Sequence, residues 1–255
     1  MFNIEDFDIK LDTEFVGRNF IYCEEIDSTN SWLLNNTTYD KNGTVLLSEL
    51  QTKGRGRKER VWLSNKEQNL TFSILLKSNF KPTQLNIINL GTSLALAQAL
   101  ENLFQLKVDL KWPNDVLVNG HKIAGILLES VSKGNKISKV VVGVGINVNQ
   151  PSFTGKFAIP PTSIKKETKE TVNRERLLSE ILNNFEEIFL LSENDSPKVI
   201  SDWKSRCRMI GEKVKVVDDE DSRTGIFDDV DEDGFMILKK GDKLERIHFG
   251  DVSLR

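Results

Sequence analysis

Cysteine and histidine are almost missing. Cys23 and Cys207 are the only thiols among 255 residues, and His121 and His248 the only imidazoles. Two cysteines make neither a disulfide framework nor a thiolate metal cluster, and two histidines argue against a Ser-His-Asp triad or a His-rich zinc site. Long apolar runs are missing too. No stretch nears the ~18 residues of a membrane span, and the N-terminal MFNIEDFDIKLD is acidic, with no apolar h-region of a secretory signal. No GxxxxGK[ST] loop occurs, so any nucleotide is held by another device. An excess of one charge is also lacking: 35 Lys and Arg face 38 Asp and Glu, a net −3. That balance excludes bulk binding to nucleic acid or membrane surfaces and leaves room for one local basic patch. The expectation is a reduced, cytoplasmic protein.

What is present is ordinary for a globular chain: 38% hydrophobic and 29% charged residues. At ~150 residues per domain the length suggests one or two domains. Residues 1–17 read as a weakly patterned lead-in. Strands are expected at 20–24, 44–50, 70–77, 108–111 and 137–148, and a helix at 30–36 behind the N-cap chemistry of Asp27-Ser28-Thr29. Leu85, Ile88, Leu96, Leu100 and Leu103 carry a helical period over 83–104. Asn119-Gly120 between 116–118 and 123–129 predicts a tight hairpin, and Lys133-Gly134-Asn135 a second turn. Residues 149–172 read as loop, 173–191 as an amphipathic helix, and Ser196-Pro197 as the start of another helix. Beyond Cys207 the pattern changes to short strands at 213–217, 224–227, 235–238 and 246–249, which suggests a small β-barrel-like module.

Four constellations are suited to chemistry. Gly54-Arg55-Gly56-Arg57-Lys58-Glu59-Arg60 puts four cations and two glycines in seven residues. Glycine admits close backbone approach and arginine forks bind carboxylate and phosphate oxygens; a solvated surface turn is the bland alternative. Lys111-Trp112-Pro113-Asn114-Asp115, with Asn119-Gly120-His121-Lys122 and Ile123-Ala124-Gly125, gathers two lysines, an aspartate and an asparagine at the ends of three strands. Asp115 is placed to hold magnesium and Lys122 to neutralise a phosphate or carboxylate, unless this is simply a charged hairpin in water. Gly143-Val144-Gly145-Ile146-Asn147 sets glycines inside a strand, the mark of a bulge or a close approach, although sheet packing alone would also account for them. Asp27-Ser28-Thr29-Asn30 caps a helix and has hydroxyl and amide groups to spare.

In this order these segments, with Gln51, Trp62 and the terminal Gly250–Arg255, resemble a biotin–protein ligase of the monofunctional type, across about residues 20–255. The resemblance implies an α+β fold: a central mixed or antiparallel sheet with packed helices, of the class II synthetase-like biotin/lipoate ligase kind, over 1–206. An SH3-like β-barrel over 207–255 would complete it. It implies ATP-dependent formation of biotinyl-5′-AMP, with Mg2+, and transfer of biotin to a lysine of a biotin carboxyl carrier protein domain. Ser28, Thr29, Asn30 and Gln51 then correspond to biotin-ring contacts. Arg55, Gly56 and Arg57 correspond to a loop closing over biotin and the adenylate phosphate, with Arg57 the main charge stabiliser. Trp62 corresponds to the adenine-stacking residue, and Asn114 and Asn147 to nucleotide contacts. Asp115 corresponds to the acid near the metal, Lys122 to the lysine bridging carbonyl and phosphate, and Arg255 to a contact from the C-terminal module. Gly54, Arg60, Lys111 and Gly125 are counted with the binding residues.

The chain departs from the bifunctional pattern at Lys58-Glu59, where Arg-Gly would stand, which predicts a stiffer loop. About 20 residues precede the first strand, too few for an operator-binding winged helix, so DNA repression is not expected. A lipoate or octanoyl transferase of the same fold is the neighbouring reading, disfavoured by the Ser-Thr-Asn run and the basic loop. A nucleic-acid-binding module is the distant one, disfavoured by the net charge and by the acidic stretch 218–221. A monomer or homodimer is expected, with the strand at 137–148 a candidate edge for dimer pairing.

Overall fold

Alternation along three neighbouring strands decides where the site lies. The computed structural model describes residues 1–58, 60–133, 136–218, 221–248 and 250–254. Seven strands form the main sheet: β1 (Phe20–Ile26), β2 (Val45–Gln51), β3 (Leu70–Phe80), β4 (Val108–Lys111), β5 (Asp115–Val118), β6 (His121–Lys133) and β7 (Lys136–Ile146). Their order is β1-β2-β3-β7-β6-β5-β4. β1 and β2 run parallel and every other pair antiparallel, so the sheet is mixed. Helices are α1 (Ile4–Lys10), α2 (Thr29–Asn35), α3 (Pro82–Phe104), α4 (Ile164–Thr168), α5 (Arg174–Asn194) and α6 (Ser196–Lys204). A second, five-stranded antiparallel sheet follows: β8 (Lys213–Val217), β9 (Ser222–Val230), β10 (Met236–Lys240), β11 (Lys243–Ile247) and β12 (Asp251–Leu254), ordered β11-β10-β9-β8-β12.

Successive strand residues point to opposite faces. Leu70, Phe72, Ile74 and Leu76 of β3, and Val140, Val142, Val144 and Ile146 of β7, enter the main core with α3 and α5. The residues between them form rows on the other face: Thr71–Gly145–Gly125, Ser73–Gly143–Leu127 and Leu75–Val141–Glu129. That face is polar and glycine-rich, and a slip of one residue would exchange it with the core. Leu33 of α2 closes its far end by packing with Leu46, Leu75 and Val141.

Several expectations need correction. The lead-in contains α1, capped by Asn3, whose Oδ1 accepts from the amides of Glu5 (3.0 Å) and Asp6 (3.3 Å). Seven residues are too few to display a period; the helix is held by packing, with Phe7 4.5 Å from Phe20 between ring centroids and Ser179 Oγ donating to Phe7 O at 2.9 Å. The loop at 149–172 contains the short helix α4, started by the Ser163 cap. A fifth strand, β12, joins the C-terminal sheet beside β8. The strand at 137–148 is no edge: β7 pairs with β3 and β6 on its two sides, and the sheet ends at β1 and β4. Periodicity reveals a strand but not its neighbours. Of the turn expected at 133–135, residues 134 and 135 lie outside the described residues.

His121 and His248 are exposed. Burial raises the Cys23 thiol pKa and pushes that of Cys207 up to about 11, so neither is a nucleophile near neutral pH. Among the described residues no helix is long and apolar enough to cross a membrane.

One buried ion pair ties β2 to α5. Arg174 grips Glu49 with both terminal nitrogens, at 2.5 and 2.9 Å, and also donates to Asn69 O at 3.1 Å. Burial disfavours the Glu49 charge, but the Arg174 hydrogen bonds and charge outweigh it and keep the carboxyl below its ordinary pKa. Arg174→Ala strands that carboxylate and is expected to cost about 3–5 kcal/mol of folding stability. Denaturant unfolding near pH 7 measures this, and a loss below 1 kcal/mol would contradict it.

Candidate active site

β1 ends at Ile26, and Ser28 caps α2, its Oγ accepting from Ser31 N at 3.4 Å. Thr29 and Asn30 therefore fall on the first turn and are buried against the polar face of the sheet. Thr29 donates to Gln51 Oε1 from its amide (2.7 Å), and its hydroxyl oxygen lies 3.0 Å from the same atom. Ser73 Oγ lies 2.6 Å from both Thr29 Oγ1 and Asn30 Oδ1. Asn30 Nδ2 donates to Leu127 O at 2.9 Å and to Glu129 Oε2 at 2.8 Å. Both Asn30 N–H groups are thus engaged within the chain, and this residue builds the floor.

Two glycines make that floor possible. A Cβ on Gly143 would sit 2.3 Å from Asn30 Oδ1, and one on Gly145 2.3 Å from Cε2 of Trp62. The amide and the indole rest directly on bare backbone. The Trp62 ring extends over Gly125, and Lys122 Nζ stands 5.8 Å from its centroid. Trp62 Nε1 is buried with no hydrogen-bond partner among the described residues.

The basic segment folds back on itself as a flap. Gly56 N donates to Arg60 O at 2.6 Å and Trp62 N to Gly54 O at 3.0 Å. Lys58 takes the left-handed conformation (φ 53°), which for a residue other than glycine costs about 1–2 kcal/mol. Arg55 Nη2 donates to Ser31 Oγ (2.8 Å) and to the Glu129 carboxylate (2.9 and 3.0 Å). Arg57 reaches the other way, to Asn114 Oδ1 and Gly250 O, both at 3.2 Å. Arg60 pairs with Asp251, and Lys58 Nζ donates to Val217 O at 3.2 Å. The flap thereby bridges α2 and β6 to the C-terminal sheet. Trp112 adds a second tie, its Nε1 donating to Gly234 O at 3.1 Å.

Beside Trp62, β4, β5 and β6 bring Lys111, Asp115 and Lys122 together. Asp115 Oδ1 is 2.5 Å from Lys122 Nζ, and Oδ2 is 3.6 Å from Lys111 Nζ. Burial lowers the Lys111 pKa, against the opposing charges of Asp115 and Asp251. Asn114 donates to Ile126 O at 2.6 Å, and Asn147 Nδ2 to Thr162 O at 2.9 Å.

These groups enclose a cavity of about 1300 Å³. Seven basic side chains and three acidic ones line it, a local excess of positive charge in a chain whose net charge is −3. All the binding residues expected from the sequence contribute to this wall except two. Gly54 lies behind it, where a Cβ would be 2.4 Å from Trp62 O, and Arg255 is outside the described residues. The sequence reading missed Ser73, Glu129 and the segment 153–161, which also lines the cavity. Strand alternation carried through β3 and β6 would have put Ser73 and Glu129 on this face; no signal marked 153–161. Asp115, expected from the sequence to sit near a metal, stands alone among oxygen ligands in the described residues and would need the phosphates of a bound nucleotide to complete a magnesium site. Its carboxylate is already shared by two lysines, and among the described residues no three His, Cys, Asp or Glu side chains gather to hold an ion.

The sequence pattern described as "Biotin/lipoate A/B protein ligase family" matches residues 22–147, and "Biotin protein ligase C terminal domain" matches 209–255. A biotin–[acetyl-CoA-carboxylase] ligase of Mycobacterium tuberculosis is 32% identical over 88% of this chain and 85% of its own length. The chain belongs to the biotin protein ligase family. A bifunctional ligase/repressor of Bacillus spizizenii is 30% identical over 96% of this chain and 76% of its own length. The biotin protein ligase of Aquifex aeolicus in complex with biotin and ATP superposes with a TM-score of 0.81 at 31% identity, over 93% of this chain and 99% of that one. Shared fold and shared motifs thus agree over nearly the whole chain.

The glycine floor makes its own prediction. Gly145→Ala displaces the Trp62 indole, so tryptophan emission shifts to the red and acrylamide quenching increases. Both changes vanish in a Trp62→Phe background. Unchanged emission would show that the ring does not rest on Gly145.

Proposed function

We propose that this chain activates biotin with ATP as biotinyl-5′-AMP and passes it to a lysine of a biotin carboxyl carrier protein domain. The observation that carries this reading is the cavity, which flap arginines and the Lys111–Asp115–Lys122 cluster line together with the polar, glycine-bearing face of the sheet. Biotin's carboxylate attacks the α-phosphate of ATP and expels pyrophosphate. Two anions must meet, and in a low-dielectric cleft their repulsion is large unless fixed cations surround them. The carrier lysine then attacks the mixed anhydride and releases AMP. Neither step needs an enzyme nucleophile, in keeping with two exposed histidines and two unreactive thiols.

The residues divide the work by position. Gln51, its Oε1 occupied by Thr29, offers its amide NH2 to the ureido oxygen of biotin over the floor built by Ser28, Thr29 and Asn30. Gly56 gives the flap a small residue where it turns, and Arg55, Arg57 and Arg60 supply its charge. Arg57 stabilises the developing charge at the reacting phosphate, and Lys122 bridges the acyl carbonyl and that phosphate. Asp115 orients Lys122 and Lys111. Trp62, lying over Gly125 and Gly145, offers its ring to adenine, with Asn114 and Asn147 beside it. Arg255 is assigned to the nucleotide from the resemblance alone. Magnesium enters with the ATP phosphates, and no step is routed through a protein-held ion. The catalytic unit spans 1–206 and the C-terminal module 207–255. The reduced cytoplasm suits both cysteines, which are unpaired.

Biotin-dependent exchange of pyrophosphate into ATP tests the reading. The protein is expected to catalyse it with biotin and not with lipoate, and Arg57→Ala is expected to slow it by about 10²-fold or more. Exchange independent of biotin would overturn the function, and near-normal exchange in the variant would remove the role of Arg57.

The lowered pKa of Lys111 adds a pH signature. The lysine is charged below its folded pKa and neutral above it, so exchange should fail at a lower pH than an ordinary lysine would dictate. Lys111→Arg keeps the charge and is expected to move the alkaline limb upward. An unmoved limb would show that the Lys111 charge is not used.

A further inference from the structure

Glu129 belongs to no motif of the chain, yet it stands where the two halves of the site meet. It projects from β6 on the cavity face, in the row Leu75–Val141–Glu129. Its Oε2 accepts from Asn30 Nδ2 at 2.8 Å and from Arg55 Nη2 at 2.9 Å, and Oε1 lies 3.0 Å from the same Arg55 nitrogen. Asn30 is joined through the Ser73 and Thr29 hydroxyls to Thr29, whose amide donates to Gln51 Oε1. One hydrogen-bonded path therefore runs from Gln51 on β2, across the floor, to Arg55 on the flap. Glu129 is the last member of that path on the sheet, and it is not part of the cavity wall.

We propose that Glu129 is a positioning residue that couples the occupied biotin floor to closure of the flap. The inference rests on the ligase reading. The physical basis is the charge: a carboxylate accepts from the Asn30 amide and the Arg55 guanidinium together, and an uncharged amide of the same shape holds the first far better than the second. With Glu129 ionised, the Arg55 end of the flap is fixed to the surface that biotin's ring rests on. The bound ring keeps Asn30 in place, Asn30 keeps Glu129 in place, and Glu129 holds Arg55 down over the acyl-adenylate. Loss of that hold lets water in and the adenylate out without removing any group that touches the reacting atoms.

The test uses the full chain and two readouts: the biotin KM in pyrophosphate exchange, and AMP release without any carrier protein. Glu129→Gln is expected to raise both by about tenfold, the scale of one charge-assisted hydrogen bond, with the ATP KM and kcat within about twofold. Arg55→Gln, at an exposed position, is expected to reproduce both changes, and the double variant to be no worse than either single one. Glu129→Asp, which keeps the charge on a shorter arm, is expected to fall between. A biotin KM and AMP release within twofold of the unaltered protein in Glu129→Gln would overturn the proposal. So would effects that add to those of Arg55→Gln, or a parallel loss of kcat and melting temperature with the biotin KM unchanged. Should Glu129→Gln not fold, Arg55→Gln and Glu129→Asp decide by the same criteria. Absence of biotin-dependent exchange in the unaltered protein would instead refute the ligase reading, and this inference with it.

Discussion

Like charges gathered around one cavity must be kept from flying apart, and the site is organised by that constraint. Arg55, Arg57, Arg60, Lys111 and Lys122 converge on it, and three carboxylates hold them. Asp115 lies between two lysines, Asp251 between two arginines, and Glu129 pairs with Arg55. Each acid fixes its partners in place, which lowers the entropy lost when a ligand arrives. Fewer acids than bases leaves the net field positive, which is what an anionic ligand pair needs. A full complement of acids would neutralise the site, and none would leave five mobile, mutually repelling arms.

The sheet supplies the rigid side of this arrangement. β3, β7 and β6 are buried on one face by aliphatic side chains, so their register is fixed by the core. The opposite face inherits that precision. Gly143 and Gly145 remove side chains where Asn30 and Trp62 must lie against the backbone, which places an amide and an indole within one van der Waals layer of the sheet. Flap and floor meet there, so small shifts of the indole bear on both.

The C-terminal sheet is part of the site as well. Val217, Gly250 and Asp251 receive Lys58, Arg57 and Arg60, and Gly234 receives Trp112 from the segment that carries Lys111 and Asp115. The flap is therefore anchored at both ends, to the main sheet through Arg55 and to the second sheet through its other cations. The left-handed Lys58 lies within the second anchor, between Arg57 and Arg60.

Much of this was legible in the sequence, for stated reasons. The strands at 70–77 and 137–148, the Asn119-Gly120 turn, the Ser28 cap and the apolar period of α3 are local signals written in adjacent residues. The chemical types at 54–60, 111–122 and 143–147 marked the site, and their order matched a family. What was not legible depends on residues far apart in the chain. α1 is too short for a period and exists through its contact with α5. The strand at 137–148 looked like a free edge because sequence does not name a strand's neighbours. The acidic chemistry of Asp115 is visible in sequence, whereas its two lysine partners are supplied by pairing of β4, β5 and β6. Glu129 belonged to no motif, and its place on the cavity face emerges only when strand alternation is carried through β6. The sequence by itself determined which elements form and which kinds of group the site contains, because propensity, capping and charge are properties of neighbouring residues. Only the tertiary structure decided which acid holds which base, because that follows from strand register and from the docking of a second sheet.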